Sequence, residues 1–234
     1  MMKFKKEQIV ELSHPLINNK EHFTYVAKPE DISLMRRDYW YLECTATLCA
    51  HAGTHVEVPY HHMIDGMDCM AFPVERLIGE AIVINCLGKK AGDPITLQDV
   101  KKAEGRIEKG DMIFLYCGFD KYFRTDDWEP YPYITPEALE WMLSYEPKCI
   151  GTDASGVEVP GVLNGEPIHV TCFKKGVAII ESMTNLGAIE NERTTAFVLA
   201  LPMQGMDASP VRIVAIRDWD APKAQNKSEK EKKA

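Results

Sequence analysis

Six short runs constrain this chain more than any other feature: "YLECTATLCA", "EAIVINCLG", "DMIFLYCGF", "GVAIIES", "TAFVLALPM" and "VRIVAIRDW". Each is rich in branched or aromatic apolar residues and bounded by Gly, Pro or Asp, the pattern of a strand. Several are apolar at consecutive positions, so both faces of the strand must be covered. Helices are fewer. "TPEALEWMLS" has Thr135 as N-cap, Pro136 at the first helical position and Leu139 and Leu143 on one face. "TLQDVKKAEG", stopped at Gly105, and "EPIHVTCFKKG", ending at Gly176, are the other two. The pattern predicts a mixed α/β fold with more strand than helix.

No repeat and no Pro/Gly/Ser-rich linker divides the 234 residues, so one domain is expected over 1–222. The remainder, 223–234, reads "KAQNKSEKEKKA" and has no apolar residue larger than alanine, which predicts a disordered charged tail. A net charge of −8, without a Lys/Arg stripe in the body, argues against nucleic acid as a partner. No apolar run is long enough to span a membrane, and the opening "MMKFKKEQIVELSH" lacks the apolar core of a signal peptide. Seven cysteines occur singly, with no CxxC, as expected of reduced thiols in a cytoplasmic protein.

Four of the seven histidines fall within "HAGTHVEVPYHH", residues 51 to 62, too many for an even scatter. A helix there is disfavoured by Gly53, Thr54, Val56 and Val58, and Pro59 biases Val58 towards an extended backbone. The better picture is a strand at about 41 to 49, a turn through Gly53, and a second extended piece. In that piece His55 and Glu57 project to one side, and the turn lets His51 join them. Two imidazoles and a carboxylate from one loop are a plausible ligand set for Zn²⁺ or Mn²⁺. The bland alternative is a group of surface or hydrogen-bonded core histidines. Partners are available further on: His169, and twelve residues later Glu181, a carboxylate interrupting an apolar strand. If buried, Glu181 needs a metal or a basic partner. Otherwise it is a strand-end residue facing water, and His169 a helix-surface residue.

Taken together these stretches resemble the cyclase-like metal-dependent hydrolases, which include bacterial kynurenine formamidases (arylformamidases) and isatin hydrolases. "HAGTHVEVPYH" is similar to the family's HxGTHxDxPxH signature. "IVELSHPL" resembles its opening strand, "RIEKGDMIFLYCGFDKYF" its KxGDxVLxxTGW segment and "YITPEALEWML" the helix that follows. "CIGTDASGVE" is like its vGiDxxSxD strand, "IHVTCFKKGVAIIESM" its His/Glu pair, and "FVLALPMQGMDASPVRIVAI" its closing strands. The resemblance implies a swivelling β/β/α fold, a mixed sheet curled towards a barrel with outer helices. It implies that His51, His55 and Glu57 bind one metal, that His169 binds a second, and that Glu57 and Glu181 bridge the two. It places His61 as the catalytic acid/base, and implies a homodimer or homotetramer.

The implied chemistry is cleavage of a small-molecule amide by metal-activated water, with His61 protonating the leaving nitrogen. An N-formyl aromatic amine is the first substrate class and a cyclic amide of the isatin type the second. Three departures stand out. Glu57 replaces the family's aspartate and is one methylene longer, so its carboxylate is drawn back or the metals shift by about a bond length. This allows a non-catalytic metal- or ligand-binding member as a third reading. His62 stands where many members carry an aromatic residue and competes with His61 for the catalytic role. No WPG-like segment is evident, leaving Phe23 and Tyr25 in "KEHFTYVAKPED" to stack on a substrate ring. Cys49 and Cys69 lie near the motif as weaker, nucleophilic candidates, and no GxSxG elbow is present.

Overall fold

The computed structural model describes residues 4–31, 39–159 and 167–218; the proposed tail at 223–234 lies outside them. The strands are β1 (Ile9–Glu11), β2 (Tyr25–Asp31), β3 (Leu42–Leu48), β4 (His55–Glu57), β5 (Ile78–Asn85), β6 (Pro94–Ile95), β7 (Met112–Tyr116), β8 (Tyr133–Ile134), β9 (Cys149–Thr152), β10 (Ala178–Glu181), β11 (Thr194–Leu199), β12 (Ala208–Pro210) and β13 (Arg212–Arg217). The α-helices are α1 (Leu97–Val100), α2 (Pro136–Leu143) and α3 (Ile168–Lys174).

Nine strands make one mixed sheet in the order β1-β13-β11-β5-β7-β9-β10-β4-β12. The central four, β5, β7, β9 and β10, run parallel, and antiparallel strands flank them. Parallel neighbours need a crossover, and α1, α2 and α3 supply the three. All three lie on one face, where Ile82, Ile84, Ile113, Leu115, Ile150 and Ile179 pack with Leu139 and Met142 of α2 and Phe173 of α3. The intervening residues, Ala81, Val83, Met112, Phe114, Ala178 and Ile180, face a second core with Val56, Ala196, Ile213 and Ala215. Covered faces on both sides are what the doubly apolar runs require. Burying one such side chain, for example Phe114, contributes roughly 1.5–3 kcal/mol.

That second core exists because the sheet curls into a half-barrel. β12 is one edge of the sheet, β13 is next to the other edge, and only Val211 separates them in sequence. At the same seam the Thr184 N–H donates to the Leu12 carbonyl, and Ser13 bridges to Met183. Gly151 of β9 permits the close inner packing: a Cβ there would meet Met183 Sδ at 2.6 Å and Phe114 Cδ1 at 2.9 Å.

The helices follow their start signals. The Thr135 hydroxyl accepts from the Ala138 N–H, with Pro136 in the first turn. The helix expected from "TLQDVKKAEG" is shorter than its pattern: α1 ends at Val100 and the chain tightens into a 3-10 turn, Lys101–Ala103. "YLECTATLCA" forms its strand but not in the main sheet. β3 pairs with β2 alone and is exposed along its whole length. Leu42, Cys44, Ala46 and Leu48 alternate with Glu43, Thr45 and Thr47, the pattern of a half-buried strand, yet the two strands form a separate ribbon.

Candidate metal centre

The histidine run folds as turn, strand and turn. Gly53 takes φ +67°, and a Cβ there would lie 2.5 Å from Leu16 Cδ2, so both backbone and space call for glycine. The turn delivers the chain into β4, held between β10 and β12. The β10–β4 register sets Glu181 directly opposite His55, while α3 brings His169 over the same face. Pro59 then opens a short 3-10 turn, Pro59–His61, that presents His61.

The side chains converge on Glu57. Its Oε1 lies 3.0 Å from His51 Nδ1, 3.4 Å from His55 Nε2 and 3.5 Å from His61 Nε2. Its Oε2 lies 2.9 Å from His169 Nε2 but finds no aligned hydrogen-bond donor, although it is buried. Glu181 reaches His55 Nε2 at 3.6 Å through one oxygen and His169 Nε2 at 3.5 Å through the other. Among the described residues four groups of three could hold a metal: His51/His55/Glu57 and Glu57/His169/Glu181, which share Glu57, and beside them His51/His61/Asp207 and His61/His62/His169. Neither bland alternative holds for the downstream pair: Glu181 and His169 are both buried.

Other groups aim the imidazoles. His55 Nδ1 donates to the Gly53 carbonyl at 2.9 Å, which leaves Nε2 as its free nitrogen. His169 Nδ1 donates to Glu158 Oε1 at 2.8 Å, and the His169 backbone N–H donates to the same oxygen at 2.9 Å. Pro167 offers α3 no side-chain cap, so Glu158 caps the helix and turns the ring of its second residue at once. Asp207 Oδ2 accepts from His61 Nδ1 at 2.8 Å and from His51 Nε2 at 3.0 Å. Sequence reasoning assigned no role to Glu158 or Asp207, although both sit in quoted motifs, at the end of "CIGTDASGVE" and within "QGMDASP". Buried Asp153 was also passed over. It accepts from the Cys117 and Gly118 N–H groups, and burial pushes its carboxyl up to about 7.

The charges fit a bound cation. Burial works to raise the Glu57 carboxyl, but contacts with His169, His51 and His55 hold it well below the carboxylate range. Glu181 is raised, by burial first and then by the charge of Glu57. Burial opposes charge on His51 and His169 too, yet their carboxylate partners lift them to about 9 and about 12. Two buried carboxylates whose charges repel, Glu57 and Glu181, favour positive charge between them, beyond what His169 supplies to Glu57 Oε2 at 2.9 Å. Divalent metal satisfies that demand, and three imidazoles with two carboxylates suit Zn²⁺ or Mn²⁺.

All six proposed metal and catalytic residues line one cavity of about 640 Å³, with Phe23, Phe123, Trp128 and Tyr131 among its walls. The Phe23 ring centroid is 6.2 Å from that of His51. Tyr25 is placed elsewhere: it opens β2, opposite Leu48, and is not part of the cavity lining. His62 is exposed and stacks on His169 at 4.7 Å, but it neither lines the cavity nor shares the His61 contact with Asp207. Cys49 and Cys69 do not line the cavity, and burial pushes the Cys69 thiol up to about 11, which leaves it protonated and unreactive.

The family profile "Cyclase: Putative cyclase" matches residues 10–159, which include the whole histidine run. The chain belongs to the cyclase family. Its similarity extends beyond the profile. It is 29% identical over 193 residues to an isatin hydrolase of Roseibium aggregatum, covering 71% of each chain. It is also 29% identical over 164 residues to a kynurenine formamidase of Erythrobacter litoralis, covering 69% of each. The solved structure of isatin hydrolase A from Ralstonia solanacearum superposes with a TM-score of 0.76 at 18% identity, over 90% of this chain and 92% of that one. The cyclase-family fold is therefore shared, and these relatives are hydrolases. No helix among the described residues is long and apolar enough to cross a membrane.

Proposed function

We propose that the protein is a metal-dependent amidohydrolase that cleaves the C–N bond of an N-formyl aromatic amine or a related small amide. The observation that carries this reading is the pair of histidine–carboxylate triplets sharing Glu57 on the wall of an aromatic-sided cavity. His51, His55 and Glu57 would hold one ion, and Glu57, His169 and Glu181 the second. A divalent cation in this position supplies Lewis acidity and makes water nucleophilic at neutral pH.

The chain's own groups do the rest. Phe23, Phe123 and Tyr131 offer ring faces and edges to an aromatic substrate and exclude bulk water from the ligand cluster. His61 carries a proton on Nδ1, committed to Asp207, and presents Nε2 at the edge of the cluster, 3.5 Å from Glu57 Oε1. From there Nε2 can take up the proton that the attacking water gives up and pass it to the departing nitrogen, which a poor amine leaving group requires. The products are a carboxylate and an amine, or a ring-opened amino acid if the amide is cyclic. The similarity to isatin hydrolase keeps the cyclic amide as the second reading.

The test is the metal content of the purified protein, measured with turnover of an N-formyl aromatic amine and of isatin. Bound metal with release of formate supports the first reading, and ring opening alone supports the second. Bound metal with no turnover of any amide overturns both in favour of a binding protein.

A further inference from the structure

We propose that Asp207 is a positioning residue that uses one carboxylate oxygen to set two imidazoles at once, the metal-facing ring of His51 and the proton-carrying ring of His61. The His61 half of this inference rests on the function proposed above; the His51 half does not.

The geometry is specific. Asp207 Oδ2 is 2.8 Å from His61 Nδ1 and 3.0 Å from His51 Nε2. An ionised carboxylate accepts and never donates, so both of those nitrogens carry hydrogen. In the neutral ring of His51 the lone pair is then on Nδ1, which lies 3.0 Å from Glu57 Oε1 and faces the first ligand triplet. In His61 it is on Nε2, which lies 3.5 Å from the same oxygen. The two rings use opposite tautomers, and one acceptor between them enforces both.

Asp207 is itself held in place by backbone pairing. The Val58 N–H donates to its carbonyl, extending the β4–β12 ladder by one step. The preceding residues are clamped to the loop after the histidine run: the Cys69 N–H donates to the Met206 carbonyl, and the Gly205 N–H to Asp68 Oδ2 at 2.6 Å. The carboxylate is thus built onto the same short strand that carries the ligands. It is a third exposed, at the rim of the cluster, whereas Glu57 and Glu181 are buried within it. Both bonds to Asp207 fall on one oxygen, and the ring nitrogens that face Glu57 remain free for other work.

Asp207→Ala is the decisive variant, because it removes the one oxygen that accepts from both rings, whereas the amide oxygen of Asn could still accept from both. Three readouts follow in Zn²⁺-loaded protein. Ring ¹⁵N shifts should show hydrogen on His51 Nε2 and His61 Nδ1 in the parent, and a change in at least one ring in the variant. Metal stoichiometry should be unchanged, while chelator competition shows affinity about 10–100-fold weaker, the usual effect of losing a ligand's orienting partner. On a substrate that the parent turns over, kcat should fall by about 10²–10⁴-fold with little change in KM. In a His61→Ala background the kcat effect should disappear while the loss of affinity persists. Asp207→Glu should recover part of both. Loss of one bound ion in Asp207→Ala would make Asp207 a ligand and overturn the proposal, as would unchanged tautomers with unchanged affinity. Should the parent hydrolyse no amide, the functional reading fails, but tautomers and affinity still decide the role of Asp207.

Discussion

Replacing Glu181 by Gln should change the stability of this protein in opposite directions with and without metal. Glu181 is buried opposite His55, with its oxygens 3.5 and 3.6 Å from His169 and His55, and its carboxyl is raised by burial and by Glu57. A carboxyl raised on folding contributes stability that is present below its ordinary pKa of 4.5 and lost as pH rises through the folded value. In the metal-free protein at pH 8, Gln has almost the same shape without the cost of that charge, so the variant should melt higher than the parent. Near pH 4 the two should converge. Metal reverses the order. If losing the carboxylate weakens binding about 100-fold, then free metal at 100 times the parent's Kd stabilises the parent by about 2.7 kcal/mol and the variant by only about 0.4. The gap of about 2.3 kcal/mol corresponds to roughly 5–9 °C in Tm for a chain of this size. Thermal melts at pH 8, in chelator and in excess Zn²⁺ or Mn²⁺, measure both signs. An equal loss of Tm in both conditions would refute the reasoning and make Glu181 an ordinary ion-pair partner of His55 and His169.

Substitution should also separate proton donor from ligands: His61→Ala keeps its metal while kcat falls about 10²–10⁴-fold, His55→Ala loses metal and activity together, and His62→Ala changes little. Metal analysis beside kinetics decides, and an inactive His62→Ala beside an active His61→Ala would shift the catalytic role by one residue. Thr135→Ala removes the cap of α2 and should cost about 1 kcal/mol in urea unfolding without altering metal content. Gly151→Ala forces a Cβ against Met183 and Phe114 and should cost about 1–3 kcal/mol, read as a lower denaturation midpoint at unchanged slope.

The parts of the fold that could be read from the sequence are those governed by local periodicity. Consecutive apolar residues in "DMIFLYCGF" and "GVAIIES" call for two covered faces, and β7 and β10 have them. Thr135 and Pro136 mark a helix start whatever lies beyond. The crowding of His51, His55 and Glu57 is equally local, because one turn and one strand create it. Glu158 and Asp207 are different. Asp207 meets His61 across 146 residues, through a strand register that no neighbouring residue announces. Glu158 acts as a cap from outside its helix, so it lacks the usual position just before the first turn. The fate of "YLECTATLCA" was hidden for a related reason: its composition suits a half-buried strand, and only its partner, β2, decides that it stays exposed. Tyr25 fell out of the cavity with that ribbon.

The seam at Val211 also sets an order of assembly. Among the described residues β1 pairs with β13, and the Ile213 N–H donates to Ser13 Oγ across 200 residues. β4, which carries the ligands, gains its outer neighbour only when β12 arrives. Contacts of such long range slow folding, because the loops between them must close before any contact rewards the closure. On the ribosome, where the N-terminal part emerges first, the ligands of the histidine run appear long before Glu181 and Asp207. Until the chain has been made past residue 210, that run lacks both its outer strand and Asp207. A chain stalled before that point would leave β4 as an unpaired sheet edge, a ready template for pairing with another chain.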